Sequence, residues 1–120
     1  MEDLTKAEER IMQVIWKLKK VFVKDIIDEL DDDPKPPYNT ISSIVRLLEK
    51  KGYVTYNAYG KTHQYLPAVS KAEYTRRTFG RFFRDHFNNS ATSLMSFLVE
   101  DQKLTKSEID ELRNLIDKNS

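Results

Sequence analysis

The sequence predicts a mainly α protein with one small β-hairpin, in the order of a winged helix-turn-helix followed by a C-terminal helical dimerisation arm. Three observations carry that prediction. Around residues 38–50, Ile41, Ile44, Val45 and Leu48 fall at i, i+3, i+4 and i+7, which places four branched aliphatics on one stripe of a helix. Gly52 then stops that helix, and two runs rich in aromatic and β-branched residues, 53–57 and 62–66, flank Ala58-Tyr59-Gly60-Lys61 as the strands of a hairpin flank its tip. After the hairpin come three more amphipathic segments, which carry more apolar surface than one small wing can cover.

Each element has its own signals. Thr5 and Glu8 have capping-box spacing, Leu4 can staple the first turn, and Ile11, Val14, Ile15 and Leu18 continue helix one, with Met12 and Trp16 widening its core face. Lys19 and Lys20 end it, cations being favourable beside a helix's carbonyl end. Residues 21–23, Val-Phe-Val, read either as a very short first strand or as the lead into helix two, residues 24–30, whose packing face is Ile26, Ile27 and Leu30. Residues 31–37, Asp-Asp-Asp-Pro-Lys-Pro-Pro, form a solvated, helix-free connection, longer than the turn of a tight helix-turn-helix. The acidic triplet lacks the spaced glycine and distal carboxylate of a cation loop, so it reads as a charged loop. In the helix that follows, Asn39, Ser42, Ser43, Arg46 and Lys50 gather opposite the aliphatic stripe as the candidate reading face. Arg46 can bond guanine or a phosphate, Ser42 and Ser43 base or phosphate, and Lys61 at the wing tip most simply reaches backbone; His63 is at best a phosphate contact.

Farther on, Ser70 and Glu73 form a second capping box. The helix they open carries Phe79, Phe82, Phe83 and Phe87 on one face, with His86 packed among them and Arg77, Arg81 and Arg84 roughly opposite. Ser90 caps a helix bearing Leu94, Met95, Leu98 and Val99, and Thr105 with Glu108 opens a last one bearing Ile109, Leu112, Leu115 and Ile116. Helices this short are unstable singly in water, so their faces must bury against each other or a second copy, and a two-fold homodimer is the commonest solution. Phe79, Phe82, Phe83, Leu94, Leu98, Ile109, Leu112, Leu115 and Ile116 are the expected dimer residues. Residues 1–69 form the expected DNA-binding domain and residues 70–120 the dimerisation domain.

Composition narrows the function. A chain of 120 residues holds one compact domain or a small domain with an arm. No run of eighteen apolar residues occurs and the N-terminus is charged, so a soluble, cytoplasmic protein is expected. Without cysteine there is no disulfide, thiolate site or cysteine nucleophile, and His63 and His86 are far apart; no metal or cofactor is expected. No phosphate-cradling glycine loop, metal-ligand cluster or G-x-S-x-G supports an enzyme. The formal net charge of +1 is unevenly spread: residues 1–37 hold 7 basic and 10 acidic side chains, residues 38–87 hold 9 and 3, and residues 88–120 hold 4 and 6. The excess of +6 over residues 38–87 is what a phosphate backbone requires, and double-stranded DNA is the expected partner.

The stretches L-T-K-A-E, N-T-I-S-S-I-V-R-L-L-E-K-K-G-Y and H-Q-Y, with F-N-N-S-A-T-S-L-M-S-F-L-V-E and L-T-K-S-E-I-D-E-L-R-N-L-I-D-K behind them, resemble the penicillinase-repressor (BlaI/MecI) family over nearly the whole chain. The resemblance implies a winged-helix repressor that dimerises through its C-terminal helices, binds palindromic operators and is released by proteolysis linked to a membrane-bound sensor. Thr40 coincides with a family threonine at the start of the recognition helix. Ser43 stands where close relatives have threonine, Asn39 and Ser42 where lysine and arginine are frequent, and Arg46 is displaced by one position from a family arginine. Family members are cut at an Asn-Phe bond in the second C-terminal helix, which implies Ser96-Phe97 here; Phe97 is retained and Ser96 departs. The cysteine pairs of the copper-sensing branch are absent.

From the residues alone, the same pattern also fits an amphipathic helix on a hairpin in an unrelated α+β domain, or a regulator released by a small molecule. A winged-helix module that binds protein instead accounts for the fold and the arm, but not for the basic segment with short polar side chains on its helix.

Overall fold

A computed structural model describes residues 2–101 and 103–118, the last four by backbone alone. Its elements run α1 Lys6–Leu18, α2 Val23–Glu29, α3 Tyr38–Lys50, β1 Val54–Tyr59, β2 Thr62–Pro67, α4 Lys71–Phe87, α5 Ala91–Glu100 and α6 Lys106–Lys118. Residues 1–75 and 76–120 are two compact units.

The first unit is a winged helix. Its α1 begins where Thr5 Oγ1 accepts from the Glu8 N–H at 3.1 Å and Glu8 Oε1 accepts from the Thr5 N–H at 2.8 Å, closing the capping box. In α2 a different cap operates, the Asp25 carboxylate accepting from the Phe22 N–H at 2.9 Å. Val21 is a strand residue and helix two starts two residues later: Val21 exchanges both backbone hydrogen bonds with Tyr65, at 2.9 and 2.7 Å, so one residue ties the α1–α2 connection to the wing. The long connection into α3 is held by the Arg10–Asp32 ion pair and by Lys35 Nζ, which donates to the carbonyls of Asp28 and Leu30.

Gly52 ends α3 with φ +86°, a conformation that side-chain-bearing residues rarely adopt. Its N–H donates to the Glu49 carbonyl at 3.0 Å and that of Tyr53 to the Leu48 carbonyl at 2.9 Å, the two bonds of a Schellman motif. The strands pair antiparallel from Val54↔Pro67 to Tyr59↔Thr62. They extend beyond the expected runs, so the tip shrinks from four residues to Gly60 and Lys61, with Gly60 at φ +62° supplying the positive angle of a primed hairpin turn.

Ile11, Met12, Ile15, Val21, Ile26, Val45 and Leu48 are fully buried at the centre, surrounded by Val14, Trp16, Val23, Leu30, Ile41, Tyr53, Val54, Tyr65 and Val69. The indole N–H of Trp16 donates to the Val69 carbonyl at 2.8 Å, and the Tyr74 ring sits 5.3 Å from Trp16 and 6.0 Å from Tyr53. The first turn of α4 therefore packs with the winged helix. One buried charge is paired: Glu8 receives Lys51 Nζ at 2.7 Å.

Ser70 caps α4 by accepting from the Glu73 N–H; in the second unit, Ser90 caps α5 through the Ser93 N–H, and Thr105 with Glu108 closes a capping box on α6. Phe79 and Phe83 lie 5.9 Å apart, Phe83 and Phe87 6.3 Å, and the Phe97 ring meets Phe87 at 5.6 Å. No side chain of α4 or α5 is buried, and Phe79 and Phe82 stay 49% and 45% exposed. No helix among the described residues is long and apolar enough to cross a membrane.

Candidate nucleic-acid interface

The core stripe of α3 fixes where its other side chains go. With Ile41, Val45 and Leu48 turned inward, about 100° per residue carries Tyr38, Ser42, Arg46 and Glu49 to one flank and Asn39, Thr40, Ser43, Leu47 and Lys50 to the outermost face. That flank meets the wing. Tyr38, Ser42, Arg46 and Glu49 line a cleft of about 220 Å³ together with Val23 of α2 and Lys61, His63 and Tyr65 of the wing. Beside it, Phe22, Val23, Lys24, Asp25, Tyr38, Thr62 and His63 line a second cleft of about 350 Å³, so Val23, Tyr38 and His63 belong to both.

The eight expected contact residues divide accordingly. Asn39, Thr40, Ser43 and Lys50 are exposed on the outer face of α3, while Ser42, Arg46, Lys61 and His63 come together in the cleft. For Ser42 the expected position on the exposed face needs correction. It is only 9% exposed, because the α3 flank that carries it is closed over by α2 and by the wing face bearing Tyr65. His63 is half-buried and stacked on Tyr56, ring centroids 4.1 Å apart and planes 9° from parallel, with Tyr65 edge-on at 6.1 Å. The alternation of β1 and β2 explains the cluster: Tyr56 opposes Tyr65 and Ala58 opposes His63, so all three rings share one face of the wing.

Three side chains of this surface escaped the sequence reading. Tyr38 and Leu47 are exposed, Leu47 by 49%, and Glu49 lines the cleft. The helical angle of Leu47, opposite the stripe, was the available signal for an exposed leucine on a reading face, where an aliphatic group can meet a thymine methyl.

Around α1, Arg10 is paired with Asp32, Lys17 with Glu29 and Lys51 with Glu8. Among the described residues Arg46, Lys50 and Lys61 have neither an ion pair nor a side-chain hydrogen bond, which leaves the cations of α3 and the wing available to an outside anion. Burial pushes the Tyr65 phenol up, the Glu49 carboxylate adds to that, and the Arg46 guanidinium opposes it; the charges of α3 are felt across the cleft.

In the second unit, Phe79 and Phe82 are exposed, and Phe83, Leu94, Phe97, Leu98, Ile109 and Leu112 are half-buried; Ser96 is exposed on α5. The side chains of Leu115 and Ile116 lie outside the described residues.

Comparison with known proteins agrees with the fold. The chain is 28% identical over 116 residues to the methicillin resistance regulatory protein MecI of Staphylococcus aureus (strain N315), covering 97% of this chain and 94% of the relative. It is 25% identical over 114 residues to the penicillinase repressor of Bacillus licheniformis, covering 95% and 89%. Its structure is similar to the solution structure of the DNA-binding domain of the repressor BlaI, with a TM-score of 0.51, 27% identity, and coverage of 62% of this chain and 94% of that one. The family model of the penicillinase repressor matches residues 4–118, and with a winged helix in place and the match running nearly end to end, the chain belongs to the penicillinase repressor family.

Proposed function

We propose that the protein is a dimeric, sequence-specific transcriptional repressor that binds a palindromic operator in double-stranded DNA through α3 and the wing. The observation that carries this reading is the set of cations Arg46, Lys50 and Lys61, exposed on a recognition helix and its wing and, among the described residues, held by no acid. Arg46 contacts a base edge or a phosphate, Asn39, Thr40, Ser43 and Lys50 present the outermost face to the major groove, and Lys61 and His63 hold the backbone. Ser42, being buried, seats α3 against the wing. The DNA-binding domain named for the similar BlaI structure supports the same assignment.

Dimerisation follows from the arm. The faces of Phe79, Phe82, Phe83, Leu94, Leu98, Ile109 and Leu112, continued in sequence by Leu115 and Ile116, leave α4 and α5 without one buried side chain, and a second copy covers them. Two heads on a two-fold axis contact major grooves about one helical turn, roughly 10 base pairs, or a multiple apart. Release follows a cut at Ser96-Phe97, made by a membrane-bound sensor protease or a protease it activates. That bond lies within α5, whose backbone must open first; α5 is bounded by Asn88 and Asn89, φ 51° and 58°, and by Lys103, φ 52°, a setting that favours local opening.

Gel shifts with the gene's own upstream DNA, comparing the full chain with residues 1–75, test the reading. The full chain should prefer a palindrome over a half-site, and the shortened chain should bind about 10²-fold or more weakly. A full chain that is monomeric and binds both sites alike would overturn the dimer. For release, an intact chain by mass spectrometry during derepression would remove Ser96-Phe97. Release by a small molecule has one observation in its favour, an open groove of about 740 Å³ lined by Gln13, Trp16, Lys17, Pro67, Ala68, Ser70, Lys71 and Glu73.

A further inference from the structure

We propose that Glu49 is a specificity-determining residue, the acid that holds down binding to non-operator DNA; this rests on the DNA-binding reading above. Among the described residues Glu49 is the one carboxylate lining the cleft between α3 and the wing, where Arg46 and Lys61 are the cations.

Its position is not explained by the fold. Among the described residues the Glu49 side chain makes no hydrogen bond and no ion pair, although Arg46 lies one turn before it on the same flank. It stands in the last turn of α3, where the carbonyl ends of the helix disfavour an acid. The end of the helix is already closed by backbone bonds from Gly52 and Tyr53, so no side chain is needed there. Yet its charge reaches the wing, acting on the buried Tyr65 hydroxyl.

A carboxylate at this place repels any phosphate that enters the cleft, whatever the sequence. Non-specific binding is almost wholly phosphate attraction, so one negative charge among the cations weakens it directly. In the operator complex, base contacts made by the outer face of α3 fix the helix in one register. There the carboxylate lies away from phosphates. The acid therefore costs non-specific binding more than specific binding, and the ratio between them rises.

Glu49→Gln in the full chain, titrated against the operator duplex and an unrelated duplex of equal length at two salt concentrations, tests this. Affinity for the unrelated duplex should rise about five-fold, the effect of roughly one nearby charge seen through water. Its salt dependence should steepen by about one unit, and operator affinity should change by less than about two-fold. Glu49→Asp, which keeps the charge, should keep the wild-type ratio, and circular dichroism should show both variants folded. An equal gain on both duplexes, no change on either, or an operator loss confined to one base pair would each overturn the proposal. Wild-type protein that binds neither duplex would instead overturn the DNA-binding reading beneath it.

Discussion

Replacing Glu8 by glutamine isolates the charge in the buried ion pair that Glu8 makes with Lys51 in the winged helix. In the folded chain Glu8 is 3% exposed, and its Oε1 accepts from the Thr5 N–H at 2.8 Å and from Lys51 Nζ at 2.7 Å. Glutamine can keep the first bond, since either residue closes a capping box, but turns the second from a charge-assisted bond into a neutral one. Bonds to charged groups contribute about 1.5–3 kcal/mol and neutral ones about 0.5–1.5 kcal/mol, so the variant should lose about 1–1.5 kcal/mol at pH 7. The pH dependence has a definite sign. Burial acts to raise the Glu8 carboxyl, but the bonds from Lys51 and Thr5 together outweigh it and hold the group below its ordinary range. A carboxyl depressed by folding binds fewer protons in the folded chain than in the unfolded one. Its stabilisation is complete above the unfolded value, about 4.3, and is lost as pH falls through the lower folded value. Urea unfolding followed by the fluorescence of Trp16, the only tryptophan, reports on the winged helix directly. The deficit of Glu8→Gln should be constant from pH 7 down to about 5 and shrink below about 4.3. A variant as stable as wild type at pH 7, or a deficit that persists undiminished at pH 3, would refute the account of this pair.

Other substitutions separate reading from holding and holding from folding. Arg46→Ala should cost about 1–3 kcal/mol of operator binding and relax preference at one base pair if the guanidinium bonds guanine; operator titrations unaffected at moderate salt would remove it from the reading set. Lys61→Ala should weaken all DNA sequences alike and make the salt slope shallower by about one unit, measured by the same titrations at several salt concentrations. Trp16→Phe strands the Val69 carbonyl, which now accepts from the indole at 2.8 Å, and should destabilise the winged helix by about 1–3 kcal/mol in urea unfolding followed by circular dichroism.

Much of the fold was legible because local chemistry and global packing agree. The capping boxes at Thr5 and Thr105, the cap at Ser70 and the glycine at Gly52 sit where their chemistry places them, and the 3.6-residue stripe of α3 is the face that is buried. What escaped depends on partners distant in sequence. The choice at Val21 between a short strand and a helix lead-in, open in the sequence, is decided only because Tyr65 lies opposite, 44 positions on, and a run of Val-Phe-Val does not name that partner. Ser42 illustrates the same limit within one helix. Dividing α3 into a core stripe and an opposite polar face leaves its flanks unassigned, and a flank becomes buried or open according to what packs there. The wing packs there, so Ser42 is covered, Glu49 joins the cleft and Leu47 is left outside. The tip of the hairpin was also overestimated, since tyrosine and alanine pair as readily as they turn and only Gly60 needs its unusual angle.

The two units differ in a way that bears on regulation. Sixteen buried apolar side chains fill the winged helix, whereas α4 and α5 bury none. At about 1.5–3 kcal/mol for each large apolar side chain buried, the first unit has a core of its own and these helices do not. The proposed dimer then couples folding of the arm to association, because the same phenylalanines and leucines would order the helices and hold the two copies together. Losing the last helix of each arm would weaken both at once, while Arg46, Lys50 and Lys61 kept their positions on a head whose packing was untouched. Two linked heads bind a two-part site more tightly than two separate ones without any added contact, so affinity can be switched entirely through the linkage. On this reading the surface that chooses the operator and the surface that sets occupancy evolve independently, and a change of inducing signal need not alter a single residue of α3.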